Sequence, residues 1–168
     1  MVSNRMKKLS LAAFVITLTG GTLLFLYAYP GWKKQQPPVR IDLSTVGQPA
    51  QSVLFNAVHE VKSLPQALRS EIGDLAEPGA SFQSTDVIRG KRLPSRRLIF
   101  AGLSDKYCIV HYERGGIAHS FLVAVLELSN GNANVVWVAN TERMGGLREL
   151  KTALEAGKLP NELGRTTW

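Results

Sequence analysis

The chain has 168 residues, a formal net charge of +7 and a single cysteine, Cys108. One cysteine excludes an intrachain disulfide framework and any cysteine-rich zinc site, so the fold must be held by an apolar core. The length allows one cored domain beside an apolar N-terminal stretch, and the basic excess favours anionic partners, although Arg5, Lys7 and Lys8 precede the apolar run and also have a topological explanation.

Residues 9–29 carry no charge. As a helix this run would reach roughly the 30 Å of a bilayer core, which predicts an N-terminal transmembrane helix behind a short tail, residues 1–8. A cleaved signal peptide is the rival reading, but Leu26-Tyr27-Ala28 makes a poor cleavage site and Tyr27, Tyr29 and Trp32 form an interfacial aromatic belt. Lys33, Lys34 and Arg40 nearly balance the near-side charges, and the short tail tips the orientation to N-in. The rest of the chain would then lie outside the cytoplasm, in the periplasm of a bacterium. Ala13, Thr17 and Gly21 recur every fourth residue, a small-residue stripe that would let two spans pack as a homodimer, although such stripes are also common without pairing.

Residues 30–48 hold Pro30, Pro37 and Pro38 and read as an extended linker, with room for a short strand at residues 39–43. An α+β domain is expected over 49–158. It opens with a helix from Gln48-Pro49 whose Leu54, Val58 and Val61 share a face. Ser63-Leu64-Pro65-Gln66 reads as a fresh helix start, and Leu64, Leu68, Ile72 and Leu75 then form a second stripe ending at Gly73 or Pro78-Gly79. His59 stands beside Glu60 with no second ligand at metal spacing.

The densest β-branched and aromatic stretch runs from Lys106 to Thr141, divided by Gly115-Gly116 and Asn130-Gly131, both competent for two-residue hairpin loops. With residues 82–89 and 97–103 this predicts an antiparallel meander of about five strands. Turn arithmetic then places Ala101 opposite Cys108, Tyr112 opposite His119 and His119 opposite Glu142. One face would collect Ile99, Cys108, Val110, Phe121, Val123, Val125, Val136 and Val138, the other Leu98, Phe100, Tyr107, Ile109, Leu122, Leu126, Val135 and Trp137. Both are apolar, so both need a cover. The N-terminal helices supply one, and a short C-terminal helix carrying Leu147, Leu150 and Leu154 supplies the other. Residues 159–168 read as a loose tail.

Two sites emerge. Tyr112, His119 and Glu142 would form a row across three strands, with Arg97 and Arg114 nearby, in which a histidine flanked by a phenol and a carboxylate suits a small-ligand or hydrolytic site. Polar cross-strand pairs at strand ends explain the same residues without chemistry, and no serine, threonine or cysteine stands in a nucleophile elbow. The second site is the basic run Arg89, Lys91, Arg92, Arg96 and Arg97 around Gly90 and Pro94, suited to lipid phosphates, an anionic envelope polymer or an acidic protein patch. It lacks the interleaved aromatics of a nucleic-acid platform. His111 and His119 are expected on opposite faces, which disfavours a metal site with Cys108, and no cofactor is expected. The leading expectation is a single-pass membrane protein whose domain binds a protein or anionic envelope component without chemistry of its own.

Overall fold

The computed structural model describes residues 36–49, 52–87 and 92–164. The expected span 9–29, with Ala13, Thr17 and Gly21, therefore lies outside the described residues. Among the described residues no helix is long and apolar enough to cross a membrane.

The domain is mostly an antiparallel sheet of seven strands with two short helices, not the expected α+β arrangement of a helical segment packed on about five meander strands. Its elements run β1 Val39–Asp42, β2 Ser52–Val58, α1 Gln66–Ile72, β3 Leu75–Ala76, β4 Arg96–Leu103, β5 Tyr107–Arg114, β6 Ser120–Ser129, β7 Asn132–Thr141 and α2 Leu147–Glu155. The seven strands form one sheet in the order β1-β2-β4-β5-β6-β7, with short β3 lying parallel to the start of β4. Every other pairing is antiparallel.

The helix expected from Gln48-Pro49 is instead β2. Its apolar residues fit two periods, since Leu54, Val58 and Val61 follow a helix while Val53, Phe55 and Ala57 follow a strand. The second period wins because β2 hydrogen-bonds β1 on one side and β4 on the other, and its Phe55 is fully buried. The strand expected over 82–89 does not form in its described part: residues 81–87 are irregular, and β3 takes the place beside β4.

Asn130 and Gly131 both take positive φ, 51° and 77°, and close the β6–β7 hairpin with Ser129 opposite Asn132. The β5–β6 connection departs from the expected two-residue turn. Residues 115–119 all lie in the loop, so Tyr112 faces Leu122, not His119. This displacement is odd and exchanges the faces. Irregularities at Ile99 and Val136 shift the register again.

One face thus buries Phe100, Tyr107, Ile109, Val123, Val125, Trp137 and Ala139 under β1, Met144 and the Leu147, Leu150 and Leu154 stripe of α2. The other buries Leu98, Ala101, Cys108, Val110, Tyr112, Leu122, Ala124, Leu126 and Val138 under Leu64, Leu68, Ile72 and Leu75. α1 starts without the side-chain cap expected from Ser63, its boundary residue being Pro65, and ends at Gly73. Past α2, the backbone N–H of Glu162 donates to the Val138 carbonyl, which ties the tail to the outer edge of β7.

Candidate functional site

The α2-bearing face continues past the helix to the end of the sheet where β4 starts and β5 finishes. There Arg97 stands opposite Glu113, and Glu113 opposite Phe121, all on that face. Glu113 is buried and both of its oxygens are engaged: Arg97 Nε donates to Oε1, and His119 Nε2 lies 3.0 Å from Oε2. Burial pushes the Glu113 carboxyl up, but the hydrogen bonds from Arg97 and His119 and their charges outweigh it and hold the group below the ordinary glutamate range.

Segment 80–87 folds across this end. Arg97 Nη1 donates to the Ala80 carbonyl at 2.9 Å, and its guanidinium lies 4.4 Å from the centre of the Phe82 ring. The Phe82 and His119 rings are 5.9 Å apart, and His119 also meets Phe121 at 5.1 Å. The backbone N–H of Gly115 donates to Ser95 O, and that of Gln83 to Pro94 O. A Cβ on Gly115 would sit 1.8 Å from Gln83 O, so only glycine lets the two loops come this close. A buried carboxylate, an arginine and a histidine thus pin two loops to the sheet.

The expected Tyr112, His119 and Glu142 row does not assemble. Tyr112 is buried on the opposite face, where burial raises its phenol pKa. Glu142 is exposed in the segment after β7, on the rim of an open cleft of about 820 Å³ floored by Met144, Ala153 and Leu159 and edged by Arg143, Glu149 and Lys158. His119 pairs with Glu113 instead. Glu113 escapes sequence reasoning because a two-residue turn takes it off the His119 register, whereas the alternation of His111 and Glu113 on β5 opposite Arg97 is the signal that would have found it.

Of the basic run, Arg89 and Lys91 lie outside the described residues. Arg92 is exposed, Arg96 Nη1 donates to the Ile72 carbonyl at 2.7 Å, and Arg97 belongs to the Glu113 cluster. The run is therefore partly structural. Arg92, Arg96, Arg97 and Arg114 lie at one end of the sheet with His119, among Asp74, Glu77, Asp86 and Glu113, while Glu142 and Arg143 stand beside them.

His111 is fully buried between Phe100 and Phe121, with ring centroids 5.1 and 6.3 Å away. Its Nδ1 donates to the Leu122 carbonyl at 2.9 Å, so Nε2 is the bare nitrogen and accepts the Met144 N–H at 3.0 Å. Burial lowers its pKa and keeps it neutral, and it fastens the loop between β7 and α2 to the sheet. Cys108 is buried on the other face, and burial drives its thiol pKa far up, so it is an unreactive core residue. Among the described residues no group of three His, Cys, Asp or Glu side chains is placed to hold a metal ion.

Comparison of the chain with family models, with curated proteins and with solved structures gave no match.

Proposed function

We propose that this chain is a binding protein without chemistry of its own, held at a membrane by the apolar run 9–29 with its sheet domain outside the cytoplasm, and that the basic run around Arg92 receives an anionic partner. The observation that carries the reading is the engagement of the acid–base groups. Among the described residues, both oxygens of Glu113 and both nitrogens of His111 are occupied within the fold, Cys108 is sealed in the core, and the Nε2 of half-exposed His119 is tied to Glu113. The chain carries a formal net charge of +7, and Arg92 of the basic run is exposed at the end of the sheet where β4 starts. The compartment rests on the hydropathy of residues 9–29 alone.

The test is binding of fluorescein-labelled polyglutamate to the detergent-solubilised full chain. Binding should weaken as salt rises and fall several-fold in Arg92→Glu, whose thermal transition should match that of the parent. Binding that ignores both salt and Arg92→Glu, or no binding at low salt, would refute the reading.

A further inference from the structure

His111 holds the segment between β7 and α2 against the sheet through a bond that exists in one protonation state only. Its Nδ1 faces the Leu122 carbonyl, which can only accept, and its Nε2 faces the Met144 N–H, which can only donate, so the ring fits this place as one uncharged tautomer. A proton taken from solvent onto Nε2 sets two donors against each other. His111 is fully buried, so water does not relieve the conflict while the segment stays in place.

The segment has little else to hold it. Of residues 142–146 only Met144 is buried, while Glu142, Arg143 and Gly145 are exposed. The Gly145 N–H donates to Glu149 Oε2 at 2.7 Å, a bond to α2 that does not fasten the segment to the sheet. By contrast, β5 is paired to β4 on one side and β6 on the other, and α2 keeps its own hold through Leu147, Leu150 and Leu154. The segment is therefore the part that can yield without breaking a strand pairing.

The charged groups that bear on the ring come from three elements. Glu113 lies on its own strand, itself engaged by Arg97 and His119, Arg143 lies in the segment, and Glu149 lies on α2. On β4 and β6, residues 99–102 and 121–126 carry no charge and bring the Phe100 and Phe121 rings instead. Burial opposes the charged ring most strongly and Arg143 adds to it, which outweighs the Leu122 bond, Glu149 and Glu113. With the segment lifted, the ring meets water and takes a proton more readily than in the closed form. We infer that His111 is an acid-released latch, and that in mild acid the segment carrying Met144 comes off the sheet while the sheet stays folded. The latch is independent of the anionic-partner reading.

Amide hydrogen exchange of the detergent-solubilised full chain, resolved by NMR at several pH values and low urea concentrations, tests this, because the Met144 amide is itself the latch bond. After correction for intrinsic exchange, its opening ratio should rise by up to about tenfold for each pH unit below about 6.5 and should not respond to urea, the mark of a local event. The most protected amides of β5 and β6 should open far less often and only through urea-dependent unfolding. His111→Gln, which keeps an acceptor for Met144 without a titratable ring, should remove the slope, and Glu149→Gln should leave it. A Met144 opening ratio that is flat with pH, or that matches the sheet amides in size and urea dependence, overturns the inference, as does loss of the slope in Glu149→Gln. The 15N signals of His111 in the unsubstituted chain add a readout that needs no variant: Nε2 should be bare at neutral pH, and a protonated Nε2 there overturns the latch.

Discussion

Replacing Glu113 with Gln keeps the shape of the side chain and removes its charge. The Glu113 side chain is 4% exposed and that of Arg97 is 23% exposed. Exposed pairs contribute about 0–1 kcal/mol. Removing one partner of a buried pair costs about 3–5 kcal/mol, because the other charge is stranded. Arg97 retains the Ala80 carbonyl, the Phe82 ring and some water, which places Glu113→Gln between these limits, at about 2–3 kcal/mol. For a domain of this size that is a fall in Tm of about 8–12 °C. Urea denaturation followed by circular dichroism gives the free energy directly, and Arg97→Met combined with Glu113→Gln completes a cycle. The double variant should be more stable than the sum of the singles predicts, by about 1–2 kcal/mol, since Arg97→Met removes the stranded cation. A single-variant cost under about 0.5 kcal/mol together with strict additivity would show that the cluster holds nothing, and the account of the braced sheet end would fail.

Gly115→Ala drives a Cβ into the Gln83 carbonyl and should destabilise by about 1–3 kcal/mol, with faster proteolysis in segment 80–87 as the local readout. His111 titrates below its ordinary value of 6.5 in the fold, so the unfolded chain binds more protons and stability must fall as pH drops below about 6.5. Chemical denaturation at several pH values should show that decline, and His111→Gln should flatten it. Glu113 is also depressed, so it adds a further loss as pH falls below the ordinary glutamate value of 4.5, and Glu113→Gln should remove it. Asn130→Ala places a Cβ-bearing residue without a local polar partner at positive φ and should cost about 1 kcal/mol in thermal denaturation.

The antiparallel sheet is legible because alternation, β-branching and Asn130-Gly131 agree over the stretch that forms β5 to β7. The leucine stripe of α2 is legible because a helical period, a glycine start and a glycine stop coincide, whereas of the expected α1 stripe only Leu68 and Ile72 lie in the helix, Leu64 preceding it and Leu75 falling in β3. Residues 52–58 are not, since seven residues with two overlapping apolar periods can be assigned only by the pairing of β1 and β4 with them, a long-range fact. The site turns on loop length. Gly115-Gly116 is competent for a tight turn, yet the loop runs through His119, and that odd displacement separates Tyr112 from His119 and joins Glu113 to it. Local propensity does not report the packing of Gln83 on Gly115 that holds the longer loop in place.

Amide hydrogen exchange of the detergent-solubilised full chain, with and without polyglutamate, tests most directly whether the basic run receives an anionic partner. Amides around Arg92 and the start of β4 should gain protection with polyglutamate at low salt and lose that gain at high salt. Protection confined to the cleft beside α2, or an identical pattern with and without polyglutamate, would contradict the account.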